Sequence, residues 1–448
     1  MNHRGTRVLR LDALARVEGE AALHLRVDGG TVAETRLRIY EPPRFFEAFL
    51  TGRAHTEPPD ITARICGICP VAYQMSACQA IENACGVTVD GPLAELRRLL
   101  YCGEWIESHT LHIYLLHAPD FLGHADVVGL ARDQRAAVER GLRLKQAGNA
   151  ILEQLGGRPI HPVNVRVGGF YRTPAPQEFR PLAERLRQAR EDALETVRWV
   201  AAFDFPDAVC DHDLLALRDP GRYAIDSGTP TVMAAHGGSP ALREFTLSDF
   251  EQHVQEGQVP YSTALTATLD GRRFLTGPLA RYAINGRCLH PVAAEAARDA
   301  GLGDPAVGAI CDNPFRSIVV RAVEVVHAVE EALRIIDGYE QPLRPAVEVP
   351  PRRAVGAGAT EAPRGLLYHR YALAEDGTLT EARIIPPTAQ NQTAIEEDVR
   401  RAVQARLDRA GPAADDEELT HLCERAIRNH DPCISCAAHF LDLTVERR

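Results

Sequence analysis

Two Cys-x-x-Cys pairs sit near opposite ends of this sequence, Cys66-Gly-Ile-Cys69 and Cys433-Ile-Ser-Cys436. Closing roughly 360 residues of intervening chain to gather four thiols makes sense when a soft metal stabilises the closure. A lone pair would say little, because zinc knobs and thiol-disulfide motifs also produce it. Four cysteines could form a closed zinc site or an iron-sulfur cluster. Closed zinc sites usually draw both pairs from one compact module, and these pairs lie at opposite ends.

The 448 residues would by length alone allow two or three domains. Because the metal-type residues come from both ends, the expectation is one interwoven unit over 1–448. Hydrophobic residues at 45% and charged residues at 25% fit a globular chain. No apolar run reaches the roughly 18–20 residues of a membrane span. The N-terminal stretch MNHRGTRVLRLDAL lacks the apolar core of a secretory signal, so a cytoplasmic location is expected. Eleven cysteines, an odd number spread along a long chain, do not read as a disulfide framework. Cys78, Cys85, Cys102, Cys210, Cys288, Cys311 and Cys423 read as small buried apolar residues. A net charge of -11 argues against nucleic acid as a partner, since phosphate contacts need basic surface.

Residues 7–41 show short β-rich runs around the turn Val27-Asp28-Gly29-Gly30-Thr31, which predicts a hairpin. A second hairpin is predicted around Glu375-Asp376-Gly377, its outer ends carrying Arg364 and Thr388. Between them, apolar spacing predicts helices over Pro92–His124, Gln177–Val200 and Ser317–Ile336, with shorter ones at 394–409 and 416–429. Residues 205–312 are less regular. The Pro-rich stretch 342–351, with Gly356 and Gly358, reads as a loop connector. The fold class expected is mainly α with small β-sheets near both termini (α+β), around a large helical-bundle core.

The frames around the cysteines, RICGICP and DPCISCAAH, resemble those of the catalytic large subunit of nickel-iron hydrogenases. Five further frames follow the family's order: Arg16-Val-Glu18-Gly, Pro43-Arg-Phe-Phe-Glu47, Gly156-Gly-Arg-Pro-Ile-His161-Pro, Glu361-Ala-Pro363-Arg364-Gly and Pro387-Thr388-Ala-Gln-Asn391. The resemblance implies a nickel-iron centre held by all four cysteines, with two cyanides and one carbon monoxide on iron. Cys69 and Cys436 would bridge the metals, and Cys66 and Cys433 would bind nickel alone. The implied reaction is reversible heterolytic cleavage of dihydrogen.

Glu18 matches the family's proton-relay glutamate beside the terminal cysteine, here Cys433. Arg364, next to Pro363, matches an arginine over the open coordination position, where a fixed planar cation can donate to a cyanide. Thr388 would donate to the other cyanide, and Asp431 is expected to pair with the Arg364 region. Glu47, His439 and a backbone carbonyl near Ile395 would hold a second, hard metal, magnesium or iron. His161 is expected at the small-subunit face, whereas His109, His112, His117 and His124 read as hydrogen-bonded core or proton-path residues.

Many relatives carry His four residues after the second cysteine of the first pair, where this chain has Tyr73. The network around Cys69 is therefore expected to differ. This form resembles the cytoplasmic NAD(P)-coupled bidirectional hydrogenases, or sulfhydrogenases. The alternatives are coupling to a deazaflavin or to heterodisulfide reductase, or, in another class, a quinone-reductase-like subunit, which would lack the cysteine pairs. The chain carries no glycine-rich dinucleotide fingerprint, so an iron-sulfur small subunit and flavin/NAD(P) diaphorase subunits are the implied partners. Residues 440–448 resemble the family's C-terminal extension, which a maturation protease removes after nickel-insertion chaperones have acted.

Overall fold

Four long helices carry the apolar spacing of the central chain: Gly91–Leu111, Arg135–Gly156, Arg180–Ala201 and Ser317–Asp337. They pack in a ring, each against the next, with Ser317–Asp337 closing back onto Gly91–Leu111. Ser317–Asp337 is buried on almost every face, as expected of a helix apolar around its circumference. The computed structural model describes residues 6–235, 242–410 and 414–438. No helix among the described residues is long and apolar enough to cross a membrane. His439 and the 440–448 extension lie outside the described residues.

The segment predicted as one helix over Pro92–His124 changes pitch. After Leu111 the backbone widens into a π-helical turn, His112–His117, before resuming at Ala118–Phe121. Two long helices were not anticipated, Pro70–Cys85 and Arg135–Gly156. The predicted helix at 394–409 begins earlier, at Pro387, and runs to Ala410. The irregular middle holds short strands. Among them, Asp213–Arg218 pairs antiparallel with Thr229–Met233 and parallel with Phe274–Leu275.

The N-terminal hairpin gains a strand and becomes the antiparallel sheet Thr6–Leu11, Ala21–Asp28, Thr31–Ile39. Gly29 and Gly30 both take positive φ in its turn. Ala21, Leu23, Leu25 and Val27 alternate inward. They share a core with Ile395, Val399, Val403 and Leu407, which recur every fourth residue on the helix Pro387–Ala410.

The C-terminal hairpin also has a third strand, and here the expectation needs correcting. Gly356 and Gly358 lie in the strand Ala354–Ala362, paired with Gly365–Leu373, which in turn pairs with Leu379–Ile385. Glycine is required because the strand runs directly over the helix Pro70–Cys85. A Cβ on Gly356 would lie 2.3 Å from the Ala80 oxygen and the Ala84 nitrogen, and one on Gly358 would lie 2.6 Å from the Ala80 nitrogen. Gly356→Val is expected to destabilise the chain by about 3 kcal/mol, the upper range for overpacking, because backbone cannot yield as a side chain can. Thermal or urea unfolding measures it, and a variant as stable as the parent would refute the close approach.

Candidate metal centre

The four sulfurs converge where the two ends of the chain meet. Cys66 follows a short 3₁₀ turn, and Cys69 caps the helix Pro70–Cys85, with Pro70 at its first position. The Glu104 carboxylate accepts from the Val71 and Ala72 amides at 2.6 and 3.1 Å and so seats that helix end. Cys433 caps the short helix Ile434–Ala437, which contains Cys436.

All four cysteines are buried, each at most 3% exposed. Their sulfurs lie within 4.8 Å of one another, with Cys66 Sγ 3.5 Å from Cys433 Sγ and Cys69 Sγ 3.6 Å from Cys436 Sγ. None is in a disulfide. Hydrogen bonds from Cys433, Cys436 and Cys69 hold the Cys66 thiol well below its usual pKa. The Ile68 and Cys69 amides also donate to its sulfur at 3.3 Å. Burial pushes Cys433 well up. A metal bound among these sulfurs would deprotonate the thiols.

Glu18 lies between the first two strands, joined to the cysteine segment by a backbone bridge to Cys433. Its carbonyl accepts from the Ile434 amide at 2.9 Å, and its Oε2 accepts from the Ser435 amide at 3.0 Å. The same oxygen is 3.1 Å from Cys433 Sγ. Glu18 is half-buried, so it bridges the enclosed sulfurs and the outside.

Pro363 and Arg364 form the two-residue turn between Ala354–Ala362 and Gly365–Leu373. Arg364, 2% exposed, donates through Nε to the Asp431 carbonyl at 2.8 Å and through Nη2 to Asp431 Oδ1 at 3.2 Å. Its Nη1 is buried without a hydrogen-bond partner. Burial alone would lower the Arg364 pKa; Asp431 and the Cys433, Cys69 and Cys66 sulfurs outweigh it and hold it well above its usual value. Asp431 adopts a positive φ of 50°. Burial raises its pKa against the opposing pull of Arg364 and Arg321. Thr388, in the first turn of Pro387–Ala410, accepts from the Cys433 amide at 2.9 Å, leaving its hydroxyl hydrogen to donate elsewhere.

Tyr73, 1% exposed, feels Cys436 more strongly than Cys69; burial comes first among the causes that push its hydroxyl well up. Glu47 is half-buried and its Oε1 accepts from the Ile384 amide at 2.7 Å. Nearby, the Arg44 amide donates to the Ala438 carbonyl at 3.1 Å, bringing that segment to the C-terminal end. Ile395 lies inside the helix Pro387–Ala410 with its side chain against the N-terminal sheet. A helix-interior carbonyl is already engaged by the amide four residues on, so the geometry gives Ile395 no support as a metal donor. His161 Nδ1 contacts the Ala63 carbonyl at 2.7 Å, just before Cys66.

His109 Nε2 lies 3.0 Å from Glu324 Oε2, and His112 Nε2 is 2.7 Å from the Arg428 carbonyl. The His112 and His117 rings are 5.0 Å apart. His124 is near the surface beside Asp133. Sequence reasoning missed Glu104, and also the strap formed by Arg44, Ser435 and Glu41. Arg44 donates to the carbonyls of Ile65 and Ser435, tying the two cysteine loops together, while Ser435 Oγ donates to Glu41 at 2.9 Å. Arg44 stood in a recognised frame, but nothing in that frame told which loops it would reach.

Four buried thiols around a shared centre, flanked by an always-charged guanidinium with one free nitrogen, form a donor set fitted to a soft metal with anionic ligands. A family model described as nickel-dependent hydrogenase matches residues 44–143 and 237–439. The chain is 32% identical over 443 residues to sulfhydrogenase 1 subunit alpha of Pyrococcus furiosus, covering 97% of this chain and 98% of that one. It is 27% identical to the NAD-reducing hydrogenase HoxS subunit beta of Cupriavidus necator, covering 97% and 95%. Among solved structures it resembles an NAD+-reducing [NiFe]-hydrogenase in the H2-reduced state, with a TM-score of 0.86, 28% identity and 97% and 99% coverage. A [NiFeSe]-hydrogenase of Dm. baculatum shares the fold at a TM-score of 0.77. The chain with this buried four-cysteine centre belongs to the nickel-dependent hydrogenases and is a large, catalytic subunit of that family.

Proposed function

We propose that Cys66, Cys69, Cys433 and Cys436 would together hold one nickel and one iron, with Cys69 and Cys436 as the thiolates available to both metals and with cyanide and carbon monoxide as further ligands. The observation that carries this reading is the set of four buried sulfurs within 4.8 Å beside the unpartnered Nη1 of Arg364. When bound, such a centre supplies the position at which dihydrogen is split heterolytically. The remaining work falls to the chain.

The released proton passes from the Cys433 sulfur to Glu18 Oε2, 3.1 Å away, and leaves through the half-buried Glu18 side chain. Arg364, held by Asp431, keeps Nη1 free, where it would donate to an anionic ligand of the centre and stabilise charge developing there. Thr388 orients the Cys433 amide, and its hydroxyl hydrogen would donate to the second cyanide. Glu47 and His439 would hold a second, hard metal, magnesium or iron. Tyr73 stands where other relatives carry histidine, so the network around Cys69 would differ from theirs.

Electrons leave towards an iron-sulfur small subunit. Exposed Ile160, Val163 and Tyr171, on the segment His161 ties to the Cys66 approach, support an apolar docking face there. Onward transfer to NAD(P) through flavin-bearing diaphorase subunits is supported by the likeness to the sulfhydrogenase and to the NAD+-reducing enzyme. Maturation removes residues 440–448, so the active chain ends at His439.

Elemental analysis of the purified complex should give nickel and iron at about one to one, with cyanide and carbon monoxide bands in the infrared. Intact mass of the nickel-loaded chain should end at His439. Stoichiometric zinc without such bands would sink the metal assignment, and full-length chain with full nickel and activity would sink the processing step.

A further inference from the structure

We infer that Arg281, anchored by Glu324, is a positioning residue that fixes the turn presenting Arg364 to the four cysteines. The inference rests on the reading of Arg364 given above. Glu361, the first residue of the Glu361-Ala-Pro-Arg364-Gly frame, was left without a role, and this network supplies one.

A guanidinium has five N–H donors, and Arg281 uses all of them. Nε donates to Glu324 Oε1 at 2.7 Å, and Nη2 donates to Glu324 Oε2 at 2.8 Å. Nη1 donates to Glu361 Oε2 at 3.1 Å. The last two go to backbone, from Nη1 to the Ala362 carbonyl and from Nη2 to the Pro363 carbonyl, both at 2.9 Å. Those are the two carbonyls immediately before Arg364. A single planar cation therefore sets the direction of the peptide units that launch the Arg364 side chain.

The anchor is itself locked. Arg281, Glu324 and Glu361 are each fully buried. Glu324, on the innermost helix of the bundle, also accepts from the Tyr223 hydroxyl at 2.8 Å and lies 3.0 Å from His109 Nε2. Glu361 Oε1 accepts from the Leu217 amide at 2.7 Å, and its carbonyl accepts from Trp105 Nε1 at 2.9 Å. The Trp105 ring lies 4.5 Å below the Arg281 guanidinium carbon.

The helix bearing Arg281, Pro278–Asn285, starts beside the turn itself. Gly277 permits that approach, because a Cβ there would lie 2.7 Å from the Arg364 carbonyl oxygen. Thr276 Oγ1 accepts from the Leu366 amide at 2.9 Å, just past the turn. Thr276 and Asn391 bind each other through backbone and amide at 2.8 and 3.1 Å, which ties the turn to the helix carrying Thr388.

Burying three charges in this way stabilises a core no better than apolar packing of equal volume would. What the network gives is direction. Lysine offers three donors from a point on a flexible stem and cannot span acceptors spread around a plane. With Arg281→Lys, the carbonyls of Ala362 and Pro363 lose fixed donors and the turn can shift.

The test is a double-mutant cycle in the assembled, nickel-loaded enzyme, read as nickel content and as kcat separately from the KM for dihydrogen. Arg364→Lys alone should lower kcat about 10³-fold, as for loss of a preorganised donor. Arg281→Lys alone should lower kcat about 10²-fold, as for a misplaced group, with nickel retained and KM unchanged. The double variant should fall within about threefold of Arg364→Lys alone, because Arg281 acts through Arg364.

Full additivity, or wild-type kcat in nickel-loaded Arg281→Lys, would overturn the inference while leaving the role of Arg364 standing. Wild-type kcat in Arg364→Lys would overturn that role and this inference with it. If Arg281→Lys does not take up nickel, Glu324→Gln replaces it in the same cycle with the same reading. Loss of nickel in both, together with a lowered unfolding temperature, would assign the pair to the core alone and overturn the positioning role.

Discussion

Cys436→Ser is expected to yield a folded chain without stoichiometric nickel and with turnover at background, whereas Cys288→Ser keeps both. Cys436 Sγ faces Cys69 Sγ at 3.6 Å, inside a cluster only 4.8 Å across. Serine preserves the shape but offers a hard hydroxyl that stays protonated near neutral pH, so a soft donor is lost. Three thiolates remain, too few for the proposed binuclear centre. Cys288 is also a free cysteine, but it is half-buried, and its sulfur contacts only the Asp219 and Pro220 carbonyls at 3.8 and 3.7 Å. Metal analysis with circular dichroism separates loss of metal from loss of fold. Full nickel in folded Cys436→Ser would remove this residue from the ligand set.

Glu18→Gln should keep nickel and iron but lower hydrogen-deuterium exchange with solvent by about 10²- to 10⁴-fold, the usual worth of a positioned acid-base group. The side-chain oxygen of Gln can still accept from the Ser435 amide, which Glu18 Oε2 now does at 3.0 Å, so the local backbone stays in register. What disappears is a group 3.1 Å from Cys433 Sγ able to take up a proton and release it. Isotope exchange measured by mass spectrometry reads the step directly. Exchange at the wild-type rate with metals intact would mean that protons leave by another path.

Both predictions were reachable from sequence because their residues sit in short, ordered frames. The four cysteines, Glu18, Arg364, Thr388 and Asp431 each lie in a run of neighbours that marks them. The structure gathers all of these residues at the meeting of the two chain ends, and Arg364 meets Asp431 there. The amphipathic helices were legible for the same kind of reason: apolar residues at three- and four-residue steps are a local signal. Tight turns with glycine at positive φ, such as Gly29-Gly30, are equally local.

Other features have no local signal. The strand Ala354–Ala362 looks like a connector in sequence because its glycines answer to the helix Pro70–Cys85, more than 250 residues earlier, where Asn83 Nδ2 donates to the Ala357 carbonyl. Arg281, Glu324 and Glu104 read as ordinary charged helix residues, yet each is fully buried with every partner distant in sequence. Burial of a charge depends on which partners the fold delivers. Tyr73 was tied to Cys69 by proximity along the chain, but in the folded site Cys436, Cys69 and Cys433 all act on its buried hydroxyl. The sequence by itself determined the donor set, the chemistry of its neighbours and most of the helices, since these depend on residue type and short spacing. Only the tertiary structure decided which buried charges support the turn of Arg364 and which sulfur each neighbour faces, because those contacts exist only once distant segments are packed together.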